Sequence, residues 1–261
     1  MLVCPVRECS LALVREDRRV VCAKGHSFDV ARSGYINLLQ PQDKKSKQPG
    51  DTMAAVSGRR RLHDSGVTAP LLAGIAEMLV AGPEDVLLDA GCGDGFYLGN
   101  LAEFSGCRAH GVDISIPAVD AAAKRYPACE WIVANADRAV PYADGVFSIV
   151  TSITARMNPE EFRRVLRDDG RLLVAIPAPD DLIELRGVGR ERVEKTVETF
   201  AGDFVLESQR RVTTSGELDA AAVEDLRHSV YRPMQAAPAE AMRVTFSLDL
   251  LLFHPKRAAI E

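Results

Sequence analysis

The sequence lacks any long hydrophobic run: its longest apolar stretch, around Leu248 to Phe253, carries Asp249. A membrane helix needs roughly 20 consecutive apolar residues, so no span and no membrane partner are expected. The opening Met1-Leu2-Val3-Cys4-Pro5 runs straight into Arg7 and Glu8. It has neither the basic start nor the apolar stretch of a secretory leader, which predicts a cytoplasmic protein. Aromatic residues are scarce, at 6% with a single tryptophan, and there is neither an internal repeat nor a low-complexity tract. With 47% hydrophobic and 26% charged residues the chain falls in the globular range, which excludes disordered and fibrous classes. Its 261 residues are enough for one large or two unequal domains.

Six cysteines in a chain expected in a reducing compartment argue against a disulfide framework. Cys4, Cys9 and Cys22 crowd the first 22 residues, whereas Cys92, Cys107 and Cys129 are dispersed. Charge is uneven too. Residues 1–63 hold 12 Lys or Arg against 6 Asp or Glu, while residues 64–261 hold 20 against 31. A basic head before an acidic body fits a head that meets a polyanion, although an unevenly solvated surface gives the same count.

Cys4, Cys9, Cys22 and His26 are separated by four, twelve and three residues, a spacing suited to two knuckles holding a tetrahedral zinc. Three thiolates and one imidazole close the coordination shell, so the metal is structural. Gly25 allows the tight reversal between Cys22 and His26. A head of roughly 40 residues with few large apolar side chains is expected to depend on that metal for its fold.

Pro70 to Val80 places Leu71, Leu72, Ile75, Met78 and Leu79 at helical spacing. Beyond it, β-rich runs alternate with helical stretches, the pattern of a parallel sheet. Five strands are predicted at Val86–Asp89, His110–Asp113, Trp131–Ala134, Phe147–Val150 and Arg171–Ile176. Phe204–Thr213 and Arg243–Phe253, with a polar, Ala-rich segment between them, read as a terminal antiparallel pair. Leu39 to Asp51, basic and bounded by prolines, reads as an exposed linker.

The run Asp89-Ala90-Gly91-Cys92-Gly93-Asp94-Gly95 follows the first of these strands and precedes a helix. Glycine lets a backbone approach a ligand closely. In the dinucleotide fingerprint a third glycine follows three residues after the second, but Phe96 stands there, and no phosphate-binding lysine is present. Asp113, at the end of the next strand, is placed to accept both hydroxyls of a ribose.

This loop, with its strand-end acids and seven strands, resembles the class I methyltransferases, whose cofactor S-adenosylmethionine carries an ammonium and a sulfonium and no phosphate. In that class the position of Asn135 meets the adenine. Three further segments are more specific: Gly34-Tyr35-Ile36-Asn37-Leu38-Leu39, Pro49-Gly50-Asp51 and Ala121-Ala122-Ala123-Lys124-Arg125-Tyr126-Pro127. With the cysteine-rich head they make nearly the whole chain similar to the RlmA-type 23S ribosomal RNA guanine-N1 methyltransferases. The resemblance implies an α/β fold, a seven-stranded mostly parallel sheet behind a small zinc-binding domain, divided at 1–40, 41–66 and 67–261. It also implies a homodimer that methylates one guanine in a hairpin of the large-subunit RNA, with macrolide resistance in some members. Cys92, Gly93 and Ile114 match cofactor-touching positions, as do Thr68, where the family has Tyr, and Asp181, where it has His. The family's Ala-Pro becomes Ala155-Arg156, and its Thr-Pro-Phe becomes Ser229-Val230-Tyr231. Lys44, Lys45, Lys47, Arg59, Arg60 and Arg61 are expected to grip RNA. Asp137 and Asp181 are carboxylates that could take a guanine proton, and the sequence assigns neither. A small-molecule methyltransferase and a non-catalytic RNA-binding protein with a decayed site are the competing readings.

Overall fold

A computed structural model describes residues 1–43, 49–229 and 239–256. The head is a three-stranded antiparallel sheet of β1 (Leu13–Glu16), β2 (Arg19–Cys22) and β3 (Ser27–Asp29), in that order. A short β4 (Ile36–Asn37) follows. Next comes α1 (Met53–Asp64), whose first turn is capped by the Thr52 hydroxyl accepting from the Ala55 amide at 3.3 Å. Then α2 (Ala69–Leu79) takes Pro70 in its first turn, where a missing N–H costs nothing.

The body then alternates as the sequence predicts: β5 (Val86–Ala90), α3 (Phe96–Ser105), β6 (Arg108–Asp113), α4 (Ile116–Arg125), β7 (Glu130–Val133), β8 (Phe147–Ile153), α5 (Pro159–Val165) and β9 (Leu166–Pro177). Two short helices, α6 (Ile183–Arg186) and α7 (Val193–Phe200), lead into the long β10 (Phe204–Leu218). The Ala-rich segment contains α8 (Ala220–Ser229), and β11 (Met242–Pro255) closes the fold.

All seven predicted strands form, and an eighth joins them. The sheet order is β10-β11-β9-β8-β5-β6-β7-β4, with β11 antiparallel to both its neighbours, β10 and β9, and every other pair parallel. The eighth is β4, from the cysteine-rich segment, with Ile36 opposite Ile132 and Asn37 opposite Val133. Side chains alternate across the sheet. Leu87, Ile149 and Leu173 face a core built with α2, α3 and α4, while Val86, Leu88, Val150 and Leu172 face the opposite one. That second core also holds Leu2, Leu13, Val20, Val30, Ile36 and Leu38. The head is therefore docked on the sheet: the body supplies the apolar partner that its length alone could not.

Of the described connector residues, Pro41, Gln42 and Gly50 are exposed as expected, but both ends are anchored: Leu39 is buried, and Gly50 lies so close to α4 that a Cβ there would be 2.6 Å from Ser115 Cβ. Lys44, Lys45 and Lys47 lie outside the described residues. No helix among the described residues is long and apolar enough to cross a membrane.

Candidate active site and metal centre

Cys4, Cys9, Cys22 and His26 converge, their ligand atoms all within 4.8 Å of one another. Cys4 Sγ lies 3.3 Å and Cys22 Sγ 3.4 Å from His26 Nδ1, and the Cys9 and Cys22 sulfurs are 3.8 Å apart. A zinc tetrahedron with Zn–S of about 2.3 Å has S···S edges of about 3.8 Å, so the donor set fits zinc. The second knuckle closes as the glycine suggested. Gly25 takes φ 83° and its amide donates to the Cys22 carbonyl at 2.8 Å. The four-residue gap after Cys4 is absorbed by a turn in which the Cys9 amide donates to the Val6 carbonyl at 3.0 Å.

The three glycines of the second motif have different tasks. The amides of Gly91 and Cys92 both donate to the Val112 carbonyl, at 2.8 and 3.1 Å, which staples the loop to β6. A Cβ on Gly91 would meet Ala155 Cβ at 2.4 Å, and one on Gly95 would meet the Trp131 ring at 2.4 Å. Those two positions serve packing. Gly93, at φ 54°, faces open space save for one neighbour, Arg59 Nη1, 3.4 Å from the would-be Cβ. This is the face a ligand can approach. The Cys92 side chain turns inward, and a Cβ on Gly111 would lie 2.9 Å from its sulfur, so only its backbone is available to a cofactor.

Asp113 fixes the loop from below. One carboxylate oxygen accepts the Gly93 amide at 2.9 Å and the other the Ser115 amide at 2.8 Å. Each oxygen retains a lone pair for a ribose hydroxyl. Ile114 stands beside it, half-buried. Ser115 caps α4 and its hydroxyl donates to the Asp51 carbonyl at 2.9 Å, which docks Pro49-Gly50-Asp51 on the cofactor edge. Asn135 follows β7, and its amide donates to the Asp43 carbonyl at 3.1 Å, so the turn at Pro41–Asp43 covers the end of that strand. Asp89 is buried beneath the loop and accepts from the Thr151 hydroxyl at 2.8 Å.

Thr68 and Asp181 are set further back. Thr68 is buried at the start of α2, 2.7 Å from His63 Nδ1, and His63 stacks on Phe96 with ring centroids 3.9 Å apart. Asp181 accepts the Ser247 amide at 3.0 Å. Asp137 faces Arg156, with Nε 3.4 Å from its carboxylate.

Burial dominates the electrostatics. It pushes the Asp89 carboxyl up to about 7 and Asp181 to about 6, and raises Asp94 and Asp113 as well. The Tyr97 phenol is pushed up by burial and then by the negative fields of Asp181 and Asp94. His63 is driven down to about 3 by burial and the nearby Arg59, so it is a neutral, stacked ring.

Arg59, Arg60 and Arg61 turn to carboxylates of this chain: Asp51 at 2.6 Å, Asp64 at 3.9 Å and Asp225 at 2.5 Å. A helix rotates each about 100° from the last, so a run that reads as one basic patch faces three directions. Arg59 beside Gly93, and His63 and Tyr97 packed around Phe96, carry no local sequence signal that marks them out.

An α/β sheet with a ligand-accessible glycine loop and an acid under the following strand, ending in an antiparallel pair, defines a class I, S-adenosylmethionine-dependent methyltransferase, here carrying a zinc ribbon. A chain of the Haloferax volcanii complex between the Trm112 methyltransferase activator and a provisionally assigned methyltransferase has this fold. It superposes with a TM-score of 0.57 at 17% identity, over 80% of this chain and 99% of that one. Residues 2–47 match the zinc ribbon described as RlmA, N-terminal, and residues 87–174 match a methyltransferase domain. The 23S rRNA (guanine(748)-N(1))-methyltransferase of Streptomyces fradiae is 39% identical over 229 residues, 84% of this chain and 80% of its own length. YxjB of Bacillus subtilis, provisionally assigned to 23S rRNA guanine-N1 methylation, is 34% identical, covering 71% of this chain and 67% of itself. The chain belongs to the RlmA-type 23S rRNA (guanine-N1)-methyltransferase family.

Proposed function

We propose that this protein methylates N1 of a guanine in a hairpin of 23S ribosomal RNA, gripping the RNA through its basic head and working as a homodimer. The observation that carries the reading is the joining of a docked zinc ribbon to an acid-rimmed glycine loop in one chain with these relatives. Exposed Arg7, Arg15, Arg18, Lys24 and Arg32 on the head have no carboxylate partner among the described residues, which leaves them to phosphates. When bound, S-adenosylmethionine supplies a methyl group on a sulfonium, already electrophilic. The chain's task is then alignment. Asp113 would take the ribose hydroxyls, the Gly91 to Gly93 backbone would line the methionine moiety, Ile114 and Asn135 would border the adenine, and Thr68 and Asp181 would support the rim. The guanine N1 proton would leave to a carboxylate or an ordered water.

The test is primer extension on 23S RNA from a strain lacking the gene, before and after complementation. Methylation at N1 blocks the pairing edge, so a stop at one guanine should appear only in the complemented strain. Identical extension in both, with methyl transfer to a small molecule instead, would overturn the RNA assignment. An RNA that binds without any stop would point to a non-catalytic protein.

The raised carboxyls predict a proton linkage. In the free protein Asp89 and Asp181 favour their neutral forms, so the stability they contribute is fully present below about 4 and is lost as pH rises through about 6 to 7. A bound sulfonium and ammonium favour the ionised forms. Binding should therefore release protons near pH 6, and affinity should climb between pH 5.5 and 7.5. Calorimetry at pH 6 in two buffers of different ionisation enthalpy checks this; equal heats in both would contradict it.

A further inference from the structure

The acid-rimmed loop leaves one charge of the cofactor unmatched. Asp89, Asp94 and Asp113 suit an ammonium and a sulfonium, but they repel the carboxylate that shares the α-carbon with that ammonium. A cation must stand at the open side of the loop, and the structure has one there. Arg59 Nη1 is the atom nearest the vacant side of Gly93, 3.4 Å from where a Cβ would be.

The guanidinium is held ready. Nη1 donates to Asp51 at 2.6 Å and Nη2 to the Ser229 carbonyl at 2.8 Å. These are two of its five N–H donors, and the side chain keeps 26% exposure. It is fixed from both sides without being closed off. Asp51 belongs to the segment docked on Ser115, and Ser229 ends α8, so the head-side connector and the C-terminal region meet at this one side chain. The fields of Asp94 and Asp113 also bear on it and help hold its charge.

We propose that Arg59 binds the carboxylate of the cofactor's methionine moiety, its remaining N–H donors completing a loop that is otherwise selective for cations. This rests on S-adenosylmethionine being the cofactor. Arg59 then discriminates the intact amino-acid end from analogues without it, and its bonds to Asp51 and Ser229 orient those donors. The run Arg59-Arg60-Arg61 thus contains a cofactor ligand next to two surface ion-pair partners.

The probe is a pair of ligands differing only in that group, S-adenosylmethionine and its decarboxylated form, titrated calorimetrically into the full-length protein. Wild type should prefer the intact cofactor by about tenfold or more, the scale of a charge-assisted hydrogen bond. Arg59→Gln should reduce that preference to near unity while leaving affinity for the decarboxylated ligand within about twofold, and Arg59→Lys should restore part of it. A preference kept in Arg59→Gln would overturn the proposal. So would equal loss of both ligands by both variants with an unchanged melting temperature, because the residue would then be only a latch. Should wild type bind neither ligand, the cofactor assignment itself falls, and that outcome is distinct from the others.

Discussion

Replacing Cys22 with Ser, or stripping the metal with a chelator, is expected to release about one zinc per chain and unfold the head. Structural zinc contributes on the order of 10 kcal/mol to small domains of this kind. The docked arrangement extends the effect beyond the head. Ile36 and Leu38 lie in the core that lines one face of the sheet, and each buried side chain of this size contributes about 1.5 to 3 kcal/mol. Losing them, about 3 to 6 kcal/mol together, should lower the melting temperature of the body by roughly 6 to 24 °C. Metal analysis and a thermal melt of the same sample decide it. Protein never exposed to chelator that contains no zinc, or a body that melts unchanged, would refute the expectation.

Asp113→Ala is expected to weaken S-adenosylmethionine binding by about 1.5 to 3 kcal/mol, roughly 10- to 150-fold. The carboxylate does two jobs: it receives the Gly93 and Ser115 amides and has lone pairs left for the ribose. Asp113→Asn separates them. An amide offers one accepting oxygen where two amides need partners, so the loop should loosen while the side chain keeps its size. The affinity of this variant is expected between those of wild type and Asp113→Ala. Calorimetry that finds Asp113→Ala equal to wild type would remove the ribose from this position.

The parts legible in the sequence were those with a local signature. Val86 to Asp89 and its successors carried the β-rich runs, and the zinc ligands carried their spacing. The strand β4 did not, because Ile36 and Asn37 are two residues in a segment with no periodicity, joined to the main sheet through a partner some hundred positions away. β10 and β11 run longer than Phe204–Thr213 and Arg243–Phe253 suggested, because each strand pairs to its end with the other despite polar residues such as Glu217 and His254. At the site, Asp113 and Gly93 were readable as a motif, but Arg59 was not. Its role comes from helical phase and from the docking of Asp51 on Ser115, neither of which a run of three arginines reveals. Gly95 was read as part of the ligand loop, and its Cβ position against Trp131 makes it a packing residue.

The last strand of a parallel sheet offers its outer N–H and C=O groups to any passing chain. In this protein that strand would be β7, and β4 covers it, continued by the Leu38 amide donating to the Val133 carbonyl at 2.9 Å. The zinc ribbon thus closes one edge of the sheet. Loss of the metal is expected to leave the outer N–H and C=O groups of β7 open to other chains.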